Sequence, residues 1–478
     1  MTEHLAADGP NARPPRRPAR AALRGWALRN VILPVTDAAM AHPMVRRLRF
    51  LEEAQWWDPD RIAAMRNNLL AEVIRIAYAE VPFYRDWMDR AGVRPSDIRR
   101  PEDLARIPVI GKSDLRAAYP HRVVRSTGHP AHETTTTGST GSAFSVMEDN
   151  ETAGWYRASF LLACEWGGWR IGDPHLQSGM SIQRQGVKAL KDRAMGCSYA
   201  VANVLTDDRM DELLELLERR RIRHVWGYPL FLHVLAARAV QRGWNRPMAS
   251  LVTWGDALHP EQRRTIEAAF QTRVTDTYGC GEGFQASAQC GEGDTYHTHD
   301  LDVILEYLDD EGRPVPAGTS GQVVITRLHA GPMPLIRYRV GDMAAAGDGT
   351  PCPCGRGFGT MAKLEGRISD CVLTPAGNRL TVHSFAAGMQ TFHDLESFQV
   401  EQEDAHNLRV RVVPGAGYSA GTAPRIVETL KEYGLVGMQV TVETVPEIPP
   451  TPGGKRRFVI NRLLESPASF EPRTPAGA

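Results

Sequence analysis

The sequence predicts an α/β protein with a large N-terminal unit and a small α+β C-terminal unit. Three observations carry this. Amphipathic helical patterns alternate with short apolar runs: residues 210–220 read as helix and 222–228 as strand, then 251–254 as strand, 261–270 as helix and 273–278 as strand. That order builds parallel sheet covered by helices. Residues 300–339 are richer in strand pattern. Beyond Asp370 the pattern becomes strand 408–413, helix 423–433 and strand 439–445, a compact α+β unit of about 100 residues.

Taken in order, residues 1–35 are expected to be a tail without fixed structure. Residues 36–369 form the large unit, 370–465 the small mobile unit and 466–478 a loose Pro/Ala/Ser-rich end. The tail carries Arg13, Arg16, Arg17, Arg20, Arg24 and Arg29 among prolines. It reads as an organelle-targeting segment, a membrane-surface arm or a solvated tail, and the last is the expectation. No apolar core follows its charges, so it is not a secretory signal. Asp58-Pro59 is an N-cap followed by Pro at the first helical position. Ile62, Met65, Leu69, Val73 and Ile76 then recur at helical spacing until Pro82 closes the segment.

Composition excludes several function classes. Lys+Arg and Asp+Glu are both 56 in 478 residues, whereas nucleic-acid binders carry a basic excess. No apolar run approaches the ~18 residues of a membrane span. Seven cysteines are too few for a disulfide scaffold, which favours a reducing cytoplasm.

Five motifs carry chemistry. Thr134 to Ser142 reads TTTTGSTGS. Its glycines allow close wrapping of an anion and its hydroxyls and N–H groups supply donors; a flexible linker is the rival reading. Thr275 to Glu282 reads TDTYGCGE at a strand end, where ligands of open α/β sheets bind. Tyr278 there can stack on a base and Glu282 can hold Mg²⁺; a Gly-rich turn is the alternative. Ile336 to Asp342 places Asp342 just past a strand, suited to ribose hydroxyls or simply to an exposed turn. Leu364 to Asp370 offers Arg367 for a phosphate or ribose and Asp370 as a hinge. Ile448 to Phe458 presents Lys455 in a Gly-rich loop, which alone reads as a basic surface turn.

The order TTTTGSTG, DTYGCGEG, YRVGD, EGRISD and PPTPGGKRRF resembles the AMP-forming acid ligases, and within them the phenylacetate–coenzyme A ligase branch associated with capsular polysaccharide genes. The stretches from Val81 to Arg116, Thr253 to Arg263, Cys352 to Arg356 and Ser397 to Gln402 share that texture. The resemblance implies a large adenylate-forming domain of several sheets with flanking helices, and a small domain that rotates between two half-reactions. It places Thr136, Thr137, Gly138, Ser139, Thr140 and Gly141 over the ATP phosphates. Gly255, Asp256, Tyr278 and Gly279 would lie at the adenine, and Asp342 at the ribose with Arg367 nearby. Glu282 would bind Mg²⁺, Asp370 would be the hinge, and Lys455 would bridge carboxylate and α-phosphate. Gly281 departs from the family pattern, where Thr or Ser usually offers a hydroxyl to the phosphate. The implied partners are a small carboxylic acid, ATP, and coenzyme A or another acceptor (an amine, a hydroxyl or a carrier thiol). A homodimer is left open. A rival of another class is a non-catalytic, zinc-stapled assembly partner. Residues of the acid pocket are sought around Trp226, Tyr228 and 250–285.

Cys290 and His297 are spaced C-x6-H, and Cys352 and Cys354 form C-x-C. Three thiolates and an imidazole make a common tetrahedral structural Zn²⁺ set. His299 is the rival to His297, which the branch resemblance favours. Unpaired cysteines in surface turns are the alternative. Cys280 has no base partner and is read as an ordinary small residue.

Overall fold

The computed structural model describes residues 19–39, 43–136, 144–179, 186–202, 205–367, 371–375, 379–381, 385, 388–389, 391–392, 394–432, 435, 437–449 and 457–465. Eleven described strands make one sheet. From one edge the order is Cys197–Val201, His175–Gly179, His224–Gly227, Ser250–Thr253, Val274–Cys280, Phe284–Gln289, Tyr296–Thr298, Thr360–Arg367, Tyr338–Ala346, Ser320–Arg327 and Val303–Leu308. The first five run parallel. Every later pairing is antiparallel. The change comes at Val274–Cys280, whose carboxyl end turns tightly into its neighbour.

The parallel strands are short, and both of their faces are covered. Leu176, Val225, Leu251 and Val274 pack into one core with the helices Asp207–Arg219, Pro229–Gln241 and Pro260–Phe270. Trp226 and Val252, the next residues along two of those strands, face a second core with helices Met44–Ala54 and Asn150–Trp166. This is the period-two alternation of a sheet buried on both sides. The helix Pro59–Glu80 starts as expected: Asp58 accepts the Asp60 N–H at 2.8 Å, a cap worth about 1 kcal/mol. The helix ends at Glu80, just before Pro82 as expected, and Pro82 also opens the next helix, Pro82–Arg90, because proline is as well placed at a first helical position as after a last one.

The expected N-terminal tail needs correction. Residues 19–39 are helical: Ala19–Ala27, a π-helical turn Leu28–Ile32, and Leu33–Ala39. Pro34 has no N–H for the carbonyl of Asn30, and the chain meets it with the wider turn, Leu33 N–H bonding Leu28 O. Leu28 and Leu33 are buried in the core that also holds Leu48 and Trp169. The Arg/Pro composition hid this because the segment's two anchoring leucines are few and their partners lie far along the chain.

Beyond the large sheet, four strands form a second one in the order Gln439–Thr444, Asn407–Pro414, Leu395–Gln402, Val459–Asn461. The middle pair is antiparallel and both flanking pairs are parallel. The helix Thr422–Glu432 connects Asn407–Pro414 to its parallel neighbour and buries Ile426 and Leu430 against Val400 and Val410. No helix among the described residues is long and apolar enough to cross a membrane.

Candidate active site and metal centre

The strand Val274–Cys280 is buried over its first five residues. Thr275, Asp276 and Thr277 of its motif serve structure. Thr253 Oγ1 donates to Asp276 Oδ1 at 2.5 Å, Tyr296 OH to Asp276 Oδ2 at 2.6 Å, and Thr277 Oγ1 to Thr253 O at 2.8 Å. These bonds hold three strands in register and aim the next residues outward.

The turn that follows carries Glu282. Gly283, at φ +86°, donates to Cys280 O at 3.1 Å, a left-handed conformation that favours glycine. Glu148 lies hard against the α-carbon of Gly283, so no side chain fits there. Arg327 Nη2 donates to Gly283 O at 2.7 Å and to Glu148 Oε1 at 3.2 Å, clamping the turn from below. Glu282 is 3% exposed. Its Oε1 receives Lys112 Nζ at 3.0 Å and Tyr338 OH at 2.8 Å. Burial works against ionising this carboxyl, but the Lys112 ammonium and the Tyr338 hydroxyl prevail and hold its pKa below the usual value. An ionised carboxylate is the donor a hard divalent cation takes.

Asp342 is brought to the same strand end. Tyr278 OH donates to Asp342 Oδ2 at 2.8 Å, joining two motifs far apart in sequence. The ladder pairs Asp342 with Arg367 on the next strand, although nothing beyond backbone is described for Arg367. Cys280 feels both Glu282 and Asp342: burial first, then the two carboxylates, push its thiol well above the ordinary value, so it stays protonated. Gly255, at φ +83°, lies under the ring of Tyr228, where a Cβ would come within 2.6 Å of Tyr228 Cε1. Asp256 is half-buried and acts electrostatically on that tyrosine. The backbone of Gly279 lies close to Phe284 O. Trp226, Tyr228, Trp254 and Phe160 gather into one aromatic wall, with Phe160 5.9 Å from Trp226 and 5.3 Å from Trp254.

Thr136 closes a hairpin register opposite Phe144, but its side chain, and Thr137, Gly138, Ser139, Thr140 and Gly141, lie outside the described residues. Phe144 stacks on Tyr338, centroids 6.1 Å apart, so the base of that hairpin adjoins the Glu282 turn. Lys455 and Asp370 also lie outside the described residues. Phe458, three residues past Lys455, meets the His259 ring at 4.5 Å, near Gly255 and Asp256 in the chain.

Lys112 and Tyr338 were missed by the sequence reading. Lys112 opens the helix Lys112–Ala118, whose start is fixed by Gly111 N–H donating to Asp114 Oδ2 at 2.8 Å. The GKSD string was visible, but nothing local ties that lysine to a glutamate so distant in sequence.

Cys290, His297, Cys352 and Cys354 come together in space. One ligand atom from each lies within 4.8 Å of all the others. The Cys290 and Cys352 sulfurs are 3.6 Å apart, and Cys354 Sγ is 3.1 Å from His297 Nε2. His297 Nδ1 faces Phe358 O at 3.4 Å, which assigns the proton to Nδ1 and leaves Nε2 for an ion. His299 turns elsewhere, stacked on Trp166 with centroids 5.0 Å apart at 14°. Three sulfurs and one imidazole nitrogen fit a four-coordinate Zn²⁺ with no open position. Arg356 ties the Cys352–Cys354 turn inward: its Nε donates to Gln55 Oε1 at 2.9 Å, and its guanidinium lies over Trp56 and Trp166.

A family model described as the CapK C-terminal domain matches residues 372–462. The phenylacetate–coenzyme A ligase of Thermus thermophilus is 27% identical over 341 residues, 66% of this chain and 72% of its own. The enzyme of that name from Escherichia coli is 26% identical over 349 residues, 66% of this chain and 73% of its own. Over about two thirds of its length the chain is similar to the phenylacetate–coenzyme A ligases, and its residues 372–462 match the CapK C-terminal domain. A crystal structure of 2-hydroxyisobutyryl-CoA ligase, in the postadenylation state with an acyl-AMP, superposes with TM-score 0.67 at 23% identity, covering 87% of this chain and 92% of that one. ATP-bound MatB from Rhodopseudomonas palustris gives TM-score 0.52 at 15% identity, covering 70% and 66%. The fold is that of the adenylate-forming ligases.

Proposed function

We propose that this chain is an ATP-dependent, AMP-forming ligase that activates a carboxylic acid as its acyl-adenylate and transfers the acyl group to coenzyme A. The convergence of Tyr278, Glu282 and Asp342 with Lys112 at one strand end carries this reading, and the named relatives support it. A carboxylate is a poor acyl donor, since its oxide leaves badly. Attack on the α-phosphate with loss of pyrophosphate converts that oxide into AMP, a good leaving group. Negative charge gathers on phosphoryl oxygens in the transition state, where fixed donors and cations count most. Glu282 would hold Mg²⁺, which supplies charge neutralisation at the phosphates. Asp342 would accept hydrogen bonds from ribose hydroxyls. Tyr278, fixed through its hydroxyl, would offer its ring to adenine. Gly255 and Asp256, the Thr136–Gly141 loop, Arg367 and Lys455 are assigned the roles the resemblance implies. Cys290, His297, Cys352 and Cys354 would hold a structural Zn²⁺. Of the residues sought for the acid pocket, Trp226 is packed in the core, while Tyr228 and Trp254 are only partly buried.

The test is pyrophosphate exchange against a panel of aryl, arylacetic, fatty and amino acids, followed by product analysis with coenzyme A. Exchange with an acid but no thioester would move the acceptor to an amine, hydroxyl or carrier thiol. No exchange with any acid at high enzyme concentration would favour the non-catalytic reading.

Lys112 is expected to set the acid limb of the exchange reaction. The folded Glu282 carboxyl lies below its ordinary pKa, so its charge persists at neutral pH and is lost only as pH falls through that lowered value. Lys112→Met leaves the buried carboxyl without its cation, and the acid limb should move to higher pH. Lys112→Arg should leave the limb near its original place. A pH profile of exchange that is identical in Lys112→Met and wild type would remove Lys112 from the site.

Asp370 is assigned as the joint between the two half-reaction states. Asp370→Pro fixes φ near −65° and should slow thioester formation more than adenylation. Stopped-flow measurement of the two steps decides it: equal slowing, or none, counts against the hinge.

A further inference from the structure

The helices at residues 19–39 carry a face that the rest of the described fold leaves uncovered. Their inner side is fully engaged. Leu28 and Leu33 enter the core, Arg24 Nε donates to Gly172 O at 2.9 Å, and Arg29 pairs with Glu52. Gly172, at φ +93°, lies backbone to backbone against Gly25. The outer side is apolar: Leu23, Trp26, Val31, Ile32 and Val35 are 69%, 60%, 48%, 45% and 64% exposed. Five of the eight exposed large hydrophobics among the described residues therefore sit on this one segment. The π turn adds a residue between Trp26 and Val31, so that positions 23, 26, 31 and 35 continue one stripe. The helix Val187–Met195, whose Lys191 acts electrostatically on Asp37, exposes Leu190 at 70%.

Charge points to the occupant. Arg24 and Arg29 are bound on the inner side, but Arg13, Arg16, Arg17 and Arg20 precede the stripe with no acidic residue between Gly9 and Thr36, in a chain whose formal net charge is zero. An exposed apolar stripe containing Trp, flanked by arginine excess, is the composition of a helix lying in a lipid headgroup layer. A second copy of the chain docking face to face would bring the same arginines together, and like charges opposed across an interface are unfavourable. We propose that residues 19–39 dock the protein onto an anionic membrane surface. Leu23, Trp26, Val31, Ile32 and Val35 enter the headgroup region, and the arginine excess meets the lipid anions. The segment lies on the bilayer and does not span it.

The experiment sediments the full-length protein with vesicles of phosphatidylcholine alone, or of phosphatidylcholine with about one-third phosphatidylserine. The wild type should bind the anionic vesicles about tenfold or more tightly than the neutral ones, and high salt should remove most of that difference. Leu23→Ser with Trp26→Ser and Val35→Ser should lose about tenfold or more in binding to anionic vesicles. Arg13→Gln with Arg16→Gln and Arg17→Gln should lose a similar factor. Both variants should keep wild-type thermal midpoints and pyrophosphate exchange, since these residues lie outside the candidate site. Absence of wild-type binding to either vesicle overturns the proposal. So does equal, salt-insensitive binding to both. A dimer in ultracentrifugation that the three serine substitutions dissociate, without vesicle binding, assigns the face to a second copy. If the serine variant fails to fold, the wild-type comparison of vesicles and salt still decides.

Discussion

Lys455→Ala is expected to lower ATP–pyrophosphate exchange by about 10²–10³-fold, equivalent to ~3–4 kcal/mol of transition-state stabilisation. The assignment rests on the PPTPGGKRRF motif and on Phe458, just beyond it, meeting His259. An ammonium at that place can touch both the attacking carboxylate and the α-phosphate, charges that meet only in the first half-reaction. The same variant, given a pre-made acyl-adenylate and coenzyme A, should form thioester at close to the wild-type rate. Loss of both half-reactions together would make Lys455 a folding or general binding residue. Loss of neither would detach the motif from catalysis.

Purified without added metal, the protein should contain close to one Zn²⁺ per chain by elemental analysis. Cys352→Ser should lose the metal and lower the thermal midpoint by about 10 °C or more, because binding free energy at a structural zinc is folding free energy. At the 2–4 °C per kcal/mol typical of large domains, that drop corresponds to roughly 3–5 kcal/mol. The loss should be local at first. The Cys352–Cys354 turn joins the strands Tyr338–Ala346 and Thr360–Arg367, and the first of these carries Asp342 and Tyr338. Adenylation should therefore weaken before global unfolding. Metal-free wild-type protein of unchanged stability would show that the cluster is only four neighbouring side chains.

How far the site was legible in the sequence varied residue by residue, for physical reasons. Tyr278 and Glu282 were singled out by a strand end followed by glycines, which alone also reads as a plain turn, and by the order of motifs that carries the resemblance. Asp342 was expected just past a strand, where alone it reads as an exposed turn; only the resemblance marked it, and the structure places it inside the strand Tyr338–Ala346. Their mutual contact was not legible, since it depends on which strands become neighbours. Lys112 was invisible as a functional group because its partner lies on another element and its own helix start explains the local string completely. His297 and His299 illustrate the same limit at short range. Strand alternation would put both on one face, yet the strand ends at Thr298, and His299 turns into the core against Trp166. Spacing alone left both histidines in play, and the end of the ladder separates them.

The sequence by itself determined the local elements and their kind. Hydrophobic period marked the helices Asp207–Arg219, Pro260–Phe270 and Thr422–Glu432 to within a few residues, because helix periodicity and capping are properties of adjacent residues. It also determined the chemistry on offer at each turn, including three cysteines of a zinc-type set with two histidines competing for the fourth place. Tertiary structure alone decided that parallel and antiparallel strands join into one sheet at Val274–Cys280, and that Glu282 is held ionised by Lys112. It also decided that residues 19–39 are helical with one face buried and one open. Those outcomes depend on ladder hydrogen bonds, burial and charge pairing between residues far apart in the chain, and no local pattern encodes which distant partner arrives.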